Sequence, residues 1–340
     1  MKSTPVGVDI AKHVFQIYYV DEQSGKTISK QLSRAKFVAY FVNRARCVIG
    51  MEACGGAHHW AREFQKLGHE VKLMPGRYVK AFNPGNKSDA ADACALWRAV
   101  QQPCKGVAVK SEAQQAVLGL HRMRAQLVKF RTMRSNSLRG LLTEYGEVMA
   151  RGRGALDSSM PEVLRRLSER VPQSLVQMLE MQWQELAHLD EQIARLEQQL
   201  SVWLRETPAL KRVAAIPGVG LLTATAVVAS MGDPKAFRSG REFAAWLGLV
   251  PRQTGTGGKL RLLGISKRGD SYLRTLLIHG ARSVLQHAKE PGAWVTQLRA
   301  RRPLNVVTVA LANKMARTIW ALLAHGREYR RDYAIGTTEA

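Results

Sequence analysis

Two aspartates stand three residues apart in Asn86-Lys87-Ser88-Asp89-Ala90-Ala91-Asp92, ahead of an apolar run through Ala93, Leu96, Trp97 and Val100. On a helix, i,i+3 spacing puts both carboxylates on one face, with Cβ atoms about 5–6 Å apart. Like charges that close need a reason. One is position: Asp in a first turn meets the positive end of the helix dipole, and Ser88 or Asp89 makes a good N-cap. The other is a divalent cation, because hard carboxylate oxygens suit Mg²⁺. Two upstream acids are placed to join them, Asp9 at the end of Pro5-Val-Gly-Val-Asp9-Ile10 and Glu52 at the end of Cys47-Val-Ile-Gly-Met-Glu52. Beyond the carboxyl ends of neighbouring strands, four such groups require cations. With one or two Mg²⁺ ions they activate an oxygen nucleophile and stabilise a leaving oxygen at phosphorus. The plainer reading makes Asp9 and Glu52 ordinary strand-end acids.

A second chemical stretch runs from Gly248 to Asp270. Gly255, Gly257 and Gly258 let backbone approach a ligand closely, and Arg252, Lys259, Arg261, Lys267 and Arg268 surround them. The P-loop spacing is absent, which disfavours ATP. Thr254 and Thr256 add hydroxyls to this cationic setting. They suit a phosphate clamp or an activated nucleophile, and residue types alone favour the clamp.

The elements that must position these groups are legible. Residues 1–110 read as three strands, a helix, a strand, a helix, a strand and a helix: an α/β domain. From Glu112 to Glu144 the chain is helical in pattern and dense in His121, Arg122, Arg124, Lys129, Arg131, Arg134 and Arg139. Few acids balance that run, so it is expected to lie along a phosphate backbone. Leu175, Leu179, Gln182, Leu186, Leu189, Ile193, Leu196 and Leu200 recur in steps of four and three. That heptad predicts a coiled coil, antiparallel with the basic helix or across a dimer. Residues 111–205 thus form a helical connector. Residues 206–333 read as a mostly α domain, opened by Ala215-Ile-Pro-Gly-Val-Gly220, which is either a helix-hairpin-helix turn for DNA or a plain αα-hairpin. Residues 334–340 look like a disordered tail.

The 340 residues carry 51 Lys+Arg against 27 Asp+Glu, a net charge of +24. A polyanionic partner follows, nucleic acid before an anionic membrane. No uninterrupted apolar run reaches membrane-spanning length and no signal-peptide pattern opens the chain, which points to the cytoplasm and no membrane partner. Cys47, Cys54, Cys94 and Cys104 lack metal-type spacing and read as reduced thiols.

Val8-Asp-Ile-Ala-Lys12, Met51-Glu-Ala-Cys-Gly55 and Asn86 to Asp92 together resemble the N-terminal domain of the DEDD-type insertion-sequence transposases, relatives of the Piv invertase. Pro251-Arg-Gln, Gly257-Gly-Lys259 and Leu263-Gly-Ile-Ser-Lys-Arg-Gly-Asp270 resemble the C-terminal domain of the same family. The resemblance implies an RNase H-like, RuvC-type fold in which Asp9, Glu52, Asp89 and Asp92 bind metal. It implies Mg²⁺-dependent DNA cleavage and exchange through a covalent hydroxyl–DNA phosphoester. It further implies a composite site across a dimer or tetramer, and guidance by a structured RNA encoded in the element. Family members carry a nucleophilic serine where this chain has Thr256. Thr256 is therefore the expected nucleophile, with Thr254, a weakened loop, or more remotely Ser266 as the alternatives. The functional alternative is a metal-dependent junction nuclease that uses water.

Overall fold

A computed structural model describes residues 3–83, 85–86 and 88–330. Lys87 of the acidic motif and the expected tail lie outside the described residues. The chain divides into two compact units, residues 1–114 and 115–340.

In the first unit a five-stranded sheet has the order β3-β2-β1-β4-β5. Its strands are β1 (Thr4–Ile10), β2 (Val14–Val20), β3 (Thr27–Ser33), β4 (Cys47–Glu52) and β5 (Glu70–Met74). β2 is antiparallel to both β1 and β3, whereas β1, β4 and β5 run parallel. The hairpin turn at Asp21 explains the first arrangement: its carboxylate accepts from Ser24 N–H at 2.8 Å and so closes a tight reversal. Helices α1 (Arg34–Val42) and α2 (Ala57–Lys66) supply Phe37, Phe41, Trp60 and Phe64 to one face. Phe15 stacks on Phe37 there, with ring centroids 4.0 Å apart. After the one-turn helix α3 (Gly76–Val79), α4 (Asp89–Val100) is laid against β1, β2 and β4.

Glycine decides how close α4 comes. A Cβ on Gly7 of β1 would run into the Ala93 carbonyl and the Trp97 N–H, and one on Gly50 of β4 would meet Val100 Cβ at 2.7 Å. The helix therefore rests directly on backbone at the centre of the sheet.

The second unit opens with α5 (Glu112–Glu144), whose first residues belong to the first unit, followed by α6 (Arg153–Ser168) and α7 (Gln173–Glu206). α5 and α7 run antiparallel, since Arg124 pairs with Glu197 at 2.6 Å, Arg131 with Asp190 at 2.6 Å and Arg134 with Glu185 at 3.3 Å. Of the expected seam, Leu179, Leu186, Leu189, Ile193 and Leu200 are buried, but Gln182 is exposed. Its neighbour Trp183 turns inward instead and donates to Asp157. The seam also continues into the C-terminal helices. Val117 of α5 and Leu200 of α7 share a core with Ala229.

That C-terminal part comprises α8 (Pro208–Ala214), α9 (Leu221–Met231), α10 (Gly240–Trp246), α11 (Ser271–His287), α12 (Ala293–Arg299) and α13 (Leu304–His325) around one large core. The turn between α8 and α9 is wedged against the Gly280 carbonyl, where a side chain on Gly218 would collide. Among the described residues α13 alone has the length and apolarity to cross a membrane. Yet Val307, Leu311, Met315, Ile319 and Leu322 are buried in this core. The stretch expected as a Gly-rich loop is instead a β-hairpin, β6 (Pro251–Thr256) and β7 (Lys259–Ile265). Gly257 and Gly258 form its turn, both with positive φ, as the type I′ hairpin turn requires.

Candidate active site

Side chains alternate along a strand, so Asp9 leaves β1 on the same face as Gly7, and Glu52 leaves β4 on the same face as Gly50. Both therefore point to the side covered by α4. Val8 pairs with Met51 in parallel register. The next residues, Asp9 and Glu52, thus leave adjacent strands at one level, about 4.8 Å apart across the ladder. Ala93 lies over Gly7, so Asp89 and Asp92, in the first turn of α4, come to the same edge. Ser88 takes the N-cap role, accepting from Ala91 N–H at 3.3 Å. That answers the capping question left open by the sequence and leaves both aspartates free of it.

The electrostatics of Asp9 register the other three acids. Burial, then Asp92 and Asp89, and in smaller measure Glu52, push the Asp9 carboxyl up to about 6, against the Ile10 N–H, which favours the charged form. Asp92 accepts from Asn83 Nδ2 at 2.7 Å, which fixes its orientation. The Glu52 carboxylate occupies the space above Gly76. Among the described residues, however, no three His, Cys, Asp or Glu side chains stand close enough to hold one ion. The acids share an edge but do not converge as a ligand set.

The hydroxyls lie in the second unit. Thr254 pairs with Arg261 and Thr256 with Lys259 across the hairpin, so both hydroxyls and both cations share one face. Every residue of β6 and all but the last of β7 are exposed. The ribbon itself is free while its base is pinned. Ser266 N–H donates to Val250 O at 2.8 Å, Asn313 donates to Leu249 O at 3.1 Å, and Arg274 donates to Leu247 O and Arg268 O, each at 3.0 Å. Arg252, Lys259, Arg261, Lys267 and Arg268 are all exposed on or beside it.

The basic face of α5 divides in two. Arg122 and Lys129 are exposed, whereas Arg124, Arg131 and Arg134 are engaged by acids of α7. These three arginines are unbalanced only in sequence, because their counter-charges lie on another helix. His121 leaves the basic set altogether. It is buried between the Tyr272 hydroxyl at 3.0 Å and Thr225 Oγ1 at 2.9 Å, and burial with the nearby Arg124 lowers it to about 4.

Residues 6–147 match a DEDD-type transposase family and residues 210–294 the "Transposase IS116/IS110/IS902 family". The chain belongs to the IS110 family of insertion-sequence transposases. It is 46% identical over 336 residues to a Pseudomonas aeruginosa protein described as "Probable family 20 transposase", covering 97% of this chain and 99% of that one. It is 42% identical to the transposase for insertion sequence element IS1111A of Coxiella burnetii, covering 96% and 91%. A pilin gene-inverting protein of Moraxella lacunata is 21% identical, covering 97% and 98%. Four residues of the transposase take roles that sequence reasoning does not assign: Gly76, Asn83, His121 and Tyr272. One signal was present for the acids, since Gly7-x-Asp9 and Gly50-x-Glu52 repeat the same face logic on neighbouring strands.

Proposed function

We propose that this transposase cuts and rejoins DNA at the ends of its element, with Asp9, Glu52, Asp89 and Asp92 as metal ligands and Thr256 as nucleophile. The first unit is read as an RNase H-like domain of RuvC type, in keeping with its strand order. The observation that carries the proposal is geometric: Asp9 and Glu52 leave adjacent parallel strands at one level, beside the first turn of α4 that holds Asp89 and Asp92. An all-oxygen, anionic donor set of this kind fits a hard divalent cation, for which we take Mg²⁺, one ion or two. Bound there, it supplies charge neutralisation at a phosphodiester.

The chain's own residues do the rest. Asn83 orients Asp92, and Gly76 admits the Glu52 carboxylate. Thr256 Oγ forms an ester to phosphorus, its proton passes to solvent, and the displaced DNA oxygen takes up a proton as it leaves. A free DNA hydroxyl reverses the step on the new partner. Lys259, opposite Thr256, is placed to offset phosphate charge. Arg252, Arg261, Lys267 and Arg268, with Arg122 and Lys129 of α5, hold the nucleic-acid backbone. Guide RNA encoded in the element, and a dimer or tetramer in which one copy's acids serve another's hydroxyl, complete the proposal. α5 and α7 form its coiled-coil connector.

The test is a denaturing gel. Full-length protein is mixed with end-labelled DNA from the gene's flanks, RNA transcribed from those flanks, and Mg²⁺. The expected result is label at protein mass that survives Thr256→Ser and disappears in Thr256→Ala and Asp9→Asn. Free cleaved DNA with no adduct, unchanged in Thr256→Ala, would assign the attack to water and the threonine to a clamp.

A further inference from the structure

The hairpin that carries Thr256 has a second face with no role so far. Gln253 pairs with Leu262 and Gly255 with Leu260, so these four residues point away from the Thr254, Thr256, Lys259 and Arg261 side. Leu260 is 65% exposed and Leu262 60%. Nothing on the ribbon shields them, because Gly255 has no side chain and Gln253 is polar. A two-stranded ribbon standing alone is marginal in water, and two bare leucines at its centre add an unmet apolar surface.

Charge identifies what covers that surface. Between Glu242 and Asp270 there is no acidic residue, while Arg252, Lys259, Arg261, Lys267 and Arg268 lie on or beside the ribbon. So dense a cationic surround favours a polyanion over an apolar protein face. A duplex nucleic acid is a polyanion with an apolar interior, and apolar side chains enter it by prising base steps apart. A two-stranded ribbon also matches the width of a DNA groove.

We infer that this hairpin is a strand-opening wedge for duplex DNA: its threonine–cation face holds the backbone of one strand while Leu260 and Leu262 pack against bases it unstacks. The inference rests on the proposed strand exchange, which needs bases unpaired beside the phosphodiester being cut. The construction suits the task. A pinned base transmits force, and a free ribbon reaches between strands. The two faces meet different chemistry, phosphate on one side and base surface on the other.

The experiment uses the full chain with DNA spanning the junction of the gene's own flanks, substituted with 2-aminopurine, whose fluorescence rises on unstacking. A second DNA carries a mismatch bubble at the same place. Wild type is expected to raise the fluorescence of the duplex. Leu260→Ser with Leu262→Ser should bind the duplex with an unchanged salt slope, yet lose about tenfold in the population of the open state, the scale of stacking on one base. The bubble should restore cleavage by that variant. Leu260→Phe with Leu262→Phe, which can still stack on bases, should keep the signal. An undiminished fluorescence rise in the serine variant would overturn the wedge. So would a wild-type complex at saturation with no rise at all. A drop in molar mass by light scattering in the serine variant, with the rise intact, would assign the leucines to an interface between protein copies. If the duplex opens but no strand is ever cut, the wedge stands and the catalytic proposal falls.

Discussion

Gly76 leaves open the space that the Glu52 carboxylate fills. A Cβ built on Gly76 lies 2.5 Å from Glu52 Oε1. The clash is with the end of a flexible side chain, so Gly76→Ala should change stability little. It should nevertheless move the carboxylate out of place and cut strand cleavage by about 10²-fold, the usual result of displacing a reacting group by an ångström. Equal losses in melting temperature and cleavage would show that the glycine serves only the chain turn.

Asp9 sits in its charged form at a cost, because its carboxyl is raised to about 6 from an ordinary 3.8. Between those values the folded chain holds a proton that the unfolded chain has lost. Stability of the first unit therefore falls as pH rises through that window, by about 1 kcal/mol once solvent screening of a half-exposed group is allowed for. Asp9→Asn should raise thermal stability above the window while abolishing cleavage. Mg²⁺ should stabilise the wild type and not the variant, a comparison read by calorimetry without reference to activity.

His121 carries the opposite sign. Burial lowers it to about 4, so an unfolded chain takes up the proton first as pH drops below 6.5. Stability of the second unit should fall from that point and approach a plateau near pH 4. Urea unfolding followed by tryptophan fluorescence should show the dependence flattened in His121→Gln.

The same histidine bridges α5, α9 and α11. His121→Leu takes the ring's acceptor nitrogen from the Tyr272 hydroxyl, which keeps only the donor Arg124, and one partner from the Thr225 hydroxyl, which retains its bond to Leu221 O at 2.7 Å. The expected cost is about 1–3 kcal/mol, for a buried donor left without a partner. A melting temperature unchanged from wild type would mean that water takes the ring's place.

The cations of α5 should separate by experiment. Arg122→Ala with Lys129→Ala should make the salt dependence of DNA or RNA binding shallower, by about 0.7–0.9 in log–log slope for each phosphate no longer neutralised. Arg131→Ala should chiefly lower the melting temperature, because Asp190, which also accepts from Arg153 at 3.2 Å, loses one of its two partners. A shallower slope in Arg131→Ala at full stability would return that arginine to the nucleic acid.

Much of this molecule is written in one dimension. Strand ends, glycine spacing and the position of an acidic pair are local properties of the chain, and the order of strands and helices in the first unit follows from hydrophobic alternation and turn residues. Gly7-x-Asp9 and Gly50-x-Glu52 even state which side of the sheet a helix must cover, since side chains two apart share a face. Charge balance is not local. Arg124, Arg131 and Arg134 read as free in sequence because their acids lie far along the chain, on α7. His121 reads as cationic because nothing near it in sequence announces Thr225 or Tyr272. The hairpin is hidden for a similar reason. Glycines suggest freedom, but Gly257 and Gly258 supply the two positive φ angles that let the flanking strands pair. Residue types and spacing alone name the groups that could do chemistry, and for the four acids they also name the strand or helix that carries each. Which charges remain available, and which face of the ribbon the hydroxyls share with Lys259 and Arg261, are set by the fold. Those outcomes depend on distances between residues remote in the chain, and folding alone sets them.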